Sequence, residues 1–182
     1  MRALITALTL AALAGCATGM QIYADHDARQ VFTAYRSYAW IRDEPLIRAA
    51  GSDYTVSPLN RRRVVEAVEA ELDAKGFTKA TNRANADFVL AYTIGARNMI
   101  EANSYPEPYN GGWGWGHQYF GSGINVQTYV QGTLAIDIFD RRSRQPVWHG
   151  WAQKRITDDD RKNAEERIHA AVKAILKSFP PT

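Results

Sequence analysis

The side chains that can ligate a metal, carry a proton or attack a carbonyl are few in this chain, and they are poorly spaced for that work. The four histidines are His26, His117, His149 and His169. No two have the HxxxH or HExxH spacing that puts zinc ligands on one helical face. Asp25-His26-Asp27 is a carboxylate–imidazole–carboxylate run that a divalent ion accepts, although aspartates at such a place more often cap a turn. Asp140 heads a polar run to Pro146 and reads as the start of a hairpin turn, with Asp137 a similar case. His149 alternates with Val147 and Trp151, as a strand residue with its hydrogen bonds satisfied. His169 flanks an apolar helical stripe and reads as a surface residue. Gly121-Ser122-Gly123 lacks the strand-to-helix context of a nucleophile elbow. Gly112-Trp113-Gly114 has His117 where the dinucleotide fingerprint needs its last glycine, and no Walker loop is present. The expectation is no catalytic set, no metal and no cofactor, hence a protein that is not an enzyme.

The single cysteine has a clearer use. Residues 1–16 read MRALITALTLAALAGC, with Arg2 as a positive n-region, an apolar h-region over Ala3 to Leu13, and small residues before Cys16. That is a secretory signal peptide over residues 1–15, too short to span a bilayer, which takes about 20 apolar residues. Leu13-Ala14-Gly15-Cys16 resembles the lipobox of bacterial lipoproteins. That resemblance implies a diacylglycerol on the Cys16 thiol and a further acyl chain on its amine, so the membrane is a partner through this lipid. Two acyl chains anchor stably, because each buried CH₂ is worth about 0.8 kcal/mol. Ala17 stands where an aspartate would resemble an inner-membrane retention signal, so the expected place is the outer membrane, facing the periplasm. With Cys16 acylated, no thiol is left for a disulfide, a zinc site or a nucleophile.

Composition sets broad limits. The formal charge of +3 falls to +2 once Arg2 is removed, and the charges are mixed along the chain. Arg61-Arg62-Arg63 and Asp158-Asp159-Asp160 are the longest like-charged runs, and both read as solvated helix turns. Nothing resembles a nucleic-acid footprint.

One segment departs from ordinary composition. YPEPYNGGWGWGHQYFGSG, residues 105–123, holds six glycines, six aromatic residues and a single charge, Glu107. A loop this long is usually functional or disordered. As a recognition loop, within a stretch bounded at residues 98–125, it offers Tyr109, Trp113, Trp115, His117, Tyr119 and Phe120 to a glycan or a protein partner. It has no lysine or arginine, unlike a single-stranded nucleic-acid platform. The plainer reading is a Gly-rich insert whose aromatics fold back on the sheet.

The elements that must position these groups follow from periodicity. Residues 16–21 read as a lipidated tether and 22–182 as one domain, long enough to bury roughly 70% of its unfolded surface. Gln21 to Asp25 and Thr33 to Ile41 read as strands. Ser57 caps a helix over about 58–75 with Pro58 in its first turn, an apolar stripe of Val64, Val65, Val68 and Leu72, and Gly76 just past its end. Asp87 to Ala96 reads as a strand covered on both sides, since Phe88 to Ala91 is continuously apolar. Gln127 to Asp140 alternates as a half-buried strand and returns through Val147 to Gln153. A second helix runs from Asp158 with a stripe of Ile168, Ala171, Val172, Ile175, Leu176 and Phe179, stopped at Pro180-Pro181. Two one-sided helices need one sheet to cover. The expected fold is therefore α+β, a two-layer sandwich with a mostly antiparallel sheet of four to five strands and two helices on one face.

Several of these residues together resemble a family of small proteobacterial lipoproteins known only as domain of unknown function four-one-three-six. The resemblance rests on Asp25-His26-Asp27, Phe32, Tyr35-Arg36-Ser37-Tyr38-Ala39-Trp40, Ala86-Asp87-Phe88, Gly132 to Asp137, Asp140, Val147-Trp148-His149-Gly150 and Phe179-Pro180. It implies a periplasm-facing lipoprotein and carries no assigned activity. The expected role is a non-enzymatic interaction or structural module of the cell envelope, with an envelope protein or peptidoglycan as partner. The alternative is glycan or small-ligand binding through the Trp/Tyr/Gly loop.

Overall fold

A computed structural model describes residues 19–47, 56–103 and 125–181. The six strands are β1 (Gln21–His26), β2 (Ser37–Trp40), β3 (Thr78–Lys79), β4 (Phe88–Asn103), β5 (Asn125–Asp140) and β6 (Pro146–Ile156). The helices are α1 (Pro58–Ala74), α2 (Asp158–Lys162) and α3 (Ala164–Leu176). The strands form one open sheet in the order β1-β6-β5-β4-β2-β3. The pairings β1–β6, β6–β5 and β5–β4 are antiparallel, and β4–β2 and β2–β3 are parallel. The fold is α+β, with six strands where four to five were expected. The extra strand is the two-residue β3, too short to leave a periodic signal, which pairs with Ser37 and Tyr38 as the chain leaves α1.

Helix α1 starts as its sequence dictates. Ser57 Oγ accepts the Leu59 N–H at 3.3 Å. At the other end Gly76, at φ 85°, lets the N–H of Gly76 and Phe77 bond back to Asp73 and Leu72, closing the helix in a Schellman turn. Val64, Ala67, Val68 and Leu72 are buried against the sheet. The second helix is not continuous. Thr157 and Asp160 form a capping box, α2 ends at Asn163, and α3 carries Val172, Ile175 and Leu176 into the core. Phe179 follows and sits among Phe32, Phe77, Phe88 and Trp148, with ring centroids 5.4–6.0 Å away. Phe88, Val89, Leu90 and Ala91 are all buried, as their unbroken apolar run requires.

Three boundaries are corrected. Residues 33–41 are not one strand: Phe32–Ala34 is a 3-10 turn and only Ser37–Trp40 is extended. The Asp87 carboxylate takes the backbone N–H of Arg36 and Ser37, both at 2.9 Å, while Tyr35 turns inward onto Phe88. The ordered domain begins before residue 22, since Met20 packs against the core and Gln21 opens β1 as its strand reading expected. The loop expected over 98–125 is also narrower, because residues 98–103 extend β4 and Asn125 starts β5.

Candidate functional site

The helices cover one face of the sheet, and the other face carries the residues with chemistry to offer. Register brings them together. The β1–β6 ladder sets Tyr23 opposite Trp151 and Asp25 opposite His149. The β5–β6 ladder sets Asp137 opposite His149 and Ala135 opposite Trp151. His149 Nδ1 lies 2.5 Å from Asp137 Oδ1, which fixes the plane of the imidazole. The His149 ring leans on Trp151 at 4.9 Å, and Tyr23 stacks on the same indole at 4.9 Å and 19°. Further along the face Gln131 Nε2 donates to Gln153 Oε1 at 3.3 Å, and the Arg155 guanidinium lies 4.7 Å over the Tyr129 ring. Tyr23 is 45% exposed and the His149 side chain 44%, so the stripe is half open to solvent.

What this arrangement can do is limited by what surrounds it. A His–Asp pair can orient a proton carrier, but a Ser- or Cys-type catalytic triad also needs a hydroxyl or thiol in reach. Among the described residues no Ser, Thr or Cys side chain is hydrogen-bonded to His149. Among them, too, no three His, Cys, Asp or Glu side chains converge as a metal site would require. The geometry suits contact: rigid aromatic rings and directed polar groups on a flat surface.

The remaining carboxylates of interest do structural work. Asp27 accepts the Arg29 N–H at 2.9 Å and its side chain at 3.1 Å, so Asp25-His26-Asp27 ends β1 in a capped turn. Asp140 accepts the N–H of Arg142 and Ser143 at 3.0 and 2.7 Å and the Tyr35 hydroxyl at 3.0 Å. Burial pushes the Asp140 carboxyl up, but the bonds from Ser143, Tyr35 and Arg142 outweigh it and hold it below its usual range. Burial, then the bond to Asp140, pushes the Tyr35 hydroxyl well up. Asp160, almost wholly buried, is opposed by the same desolvation, yet the Lys154 ammonium at 2.5 Å and the Thr157 bonds bring it down to about 2. Arg61, Arg62 and Arg63 pair with Glu44, Glu66 and Glu165, and His169 is exposed.

Of the residues singled out by sequence, Cys16 and the loop residues Tyr109, Trp113, Trp115, His117, Tyr119 and Phe120 lie outside the described residues. The stripe of Tyr23, Trp151, His149 and Asp137 was missed. A signal for half of it was there: folding the chain about its 140–146 turn puts Asp137 and His149 at the same level of one hairpin.

The residues that carry the resemblance spread over β1, β2, β4, β5, β6 and the stretch after α3, the pattern of a whole-domain family. The chain matches the family described as Domain of unknown function (DUF4136) over residues 22–181. It is a DUF4136 protein. A crystal structure of a DUF4136 family protein from Bacteroides thetaiotaomicron superposes at a TM-score of 0.53 with 16% identity, covering 88% of this chain and 94% of that one. A dodecamer of a PelC point variant from Paraburkholderia phytofirmans gives 0.50 with 11% identity, covering 86% and 94%. At these identities the likeness to both is one of fold. The comparison with curated proteins returns no match. Among the described residues of this DUF4136 chain, no helix is long and apolar enough to cross a membrane.

Proposed function

We propose that this DUF4136 chain is a lipid-anchored module of the cell envelope that acts by contact with an envelope protein or peptidoglycan, without catalysis. The observation that carries the reading is the half-exposed stripe of Tyr23, Trp151, His149 and Asp137 on the uncovered sheet face. Tyr and Trp held rigidly on strands are the residues that dominate contact energies. The anchor is acylated Cys16, in the outer membrane and facing the periplasm. The Leu13-Ala14-Gly15-Cys16 lipobox and the absence of Asp at position 17 support it. The test is cross-linking of the lipoprotein in cells, together with cosedimentation with purified peptidoglycan. Trp151→Ala and a variant lacking residues 105–123 run beside the wild type. Loss of a specific partner from Trp151→Ala, with the fold intact, is the expected result; equal recovery from both variants refutes the stripe. Mass in solution is the first control, since PelC forms a dodecamer.

A second reading is glycan binding. The Gln131–Gln153 amide pair beside the aromatic stack offers a sugar both ring contact and planar hydrogen bonds. The loop residues Tyr109, Trp113, Trp115, His117, Tyr119 and Phe120 extend the same chemistry. Tryptophan fluorescence on titration with muropeptides tests it, and a flat titration counts against it.

A further inference from the structure

The uncovered sheet face carries charge in two rows. One row runs across β1, β6, β5 and β4 as Asp25, His149, Asp137 and Ala91. Its carboxylates stand on the first and third of these strands. Six residues further along β4, Arg155, Gln131 and Arg97 lie across β6, β5 and β4. Here the guanidiniums stand on the second and fourth strands. Asp25, Arg97 and Arg155 are exposed, and the Asp137 side chain is 24% exposed. The Tyr129 ring holds the Arg155 guanidinium in place. Between the two charged rows lie Tyr23 and Trp151, then Gln153 and Thr133.

The two sets match in number and spacing and are opposite in sign. A second copy, turned over by a two-fold lying between two facing sheets, presents each set to the other. The sets are offset sideways by one strand, about 5 Å, over six residues, about 20 Å. The two-fold absorbs that offset when it tilts by about 13° from the perpendicular to the strands. The strands of the two sheets then cross at about 27°, close to the angle of about 30° at which sheets pack face to face. Arg155 of the second copy comes over Asp25, and Arg97 of the second copy over Asp137. The Trp151 indole comes over the second copy's Gln153 and Thr133. A symmetric pair needs just this self-complementarity, with each residue meeting the partner of its own counterpart. The axis runs across the strands and emerges at the β1 edge of the sheet. Both copies therefore begin β1 beside the axis on one side of the pair, in agreement with two lipid anchors in one bilayer.

We infer that the uncovered face binds a second copy of this chain, sheet against sheet, with Asp25 paired to Arg155 and Asp137 to Arg97 across the interface. This rests on the reading of the Tyr23–Trp151 stripe as a contact surface and names its partner. Asp137 orients His149 and Asp25 accepts the His26 N–H, each through Oδ1; each accepts the guanidinium through Oδ2. The charges fix the register and exclude wrong pairings, and the aromatic rings supply the contact energy.

The test is the mass of the full mature lipoprotein by sedimentation equilibrium in density-matched detergent, over a concentration series. Asp25→Arg and Arg155→Asp, both at exposed positions, each set like charges against each other twice per dimer. Mixed one to one, the two variants restore opposite charges at both places. The expected result is a dimer for the wild type and a dissociation constant raised about tenfold or more for either variant alone. The mixture returns close to the wild-type value. That recovery excludes misfolding as the cause of the loss, and circular dichroism checks each variant. A monomeric wild type overturns the inference. So does a dimer or larger assembly that neither variant weakens, and so does a mixture that stays dissociated. A monomer that still cross-links to another envelope component through Trp151 overturns the second copy and leaves the contact reading standing. A monomer whose cross-linked partners ignore Trp151→Ala overturns both.

Discussion

Gly150→Ala tests how β6 and α3 are fitted together. Gly150 lies on the helix-facing side of β6, level with Ile136, and the Trp148 ring folds back over it toward α3. A Cβ at this position would collide with Trp148 Cη2 and stand 2.8 Å from Ile175 Cγ2. Neither neighbour has room to yield. Trp148 is 2% exposed and its ring is held by Phe179 at 5.4 Å, while Ile175 is wholly buried. Overpacking of this kind costs typically 1–3 kcal/mol, and the burial of both neighbours puts this case at about 3 kcal/mol. For a domain of this length that lowers Tm by roughly 6–12 °C. Gly132→Ala is the control on the same sheet. Its Cβ would meet Ile156 Cδ1 at 2.6 Å and Cγ1 at 2.9 Å, the outer arm of one half-buried side chain at the rim of the sheet. Rotation of Ile156 relieves that contact at below about 1 kcal/mol. Urea unfolding with a shared m-value separates the two. Equal midpoints for Gly150→Ala and Gly132→Ala would refute the claim that the Trp148 ring is clamped between strand and helix.

Other expectations follow from the same contacts. Tyr35→Phe removes the hydroxyl bonded to buried Asp140 and costs about 1–3 kcal/mol, read by urea midpoint. Asp160, at about 2 in the folded chain against an ordinary 3.8, gives stability that is full above about pH 4 and lost as pH falls toward 2. The shift corresponds to about 2 kcal/mol, and Asp160→Asn should flatten the acid limb of a pH–stability curve. His149→Ala, at a half-exposed site, should cost below about 1 kcal/mol of stability while lowering partner recovery in the cross-linking assay. An equal loss of both would make the His149–Asp137 pair structural.

How far the sequence foretold this molecule depends on how local each signal is. Ser57, Pro58 and Gly76 act within one helical turn of themselves, and α1 falls within a residue of its expected end. The β5–β6 hairpin was equally plain, because alternation and a polar turn are both local, and Asp140 caps that turn as expected. The failures are long-range. Asp87 unwinds the segment before Ser37 from fifty residues away, a distance no periodicity spans. β3 exists because β2 is there to pair with it. The Tyr23–Trp151 stack required knowing that β1 lies beside β6, on the opposite side of the sheet from β2, its neighbour in sequence. Composition drew attention to the aromatic residues between β4 and β5 and away from two aromatics 128 positions apart. Yet the strand order ties these regions together. The edge strand carrying Tyr23 begins at the row where β4 and β5 continue outward toward those same residues. One end of the sheet therefore gathers the start of β1, the outer β4–β5 pairing and the nearer part of the stripe.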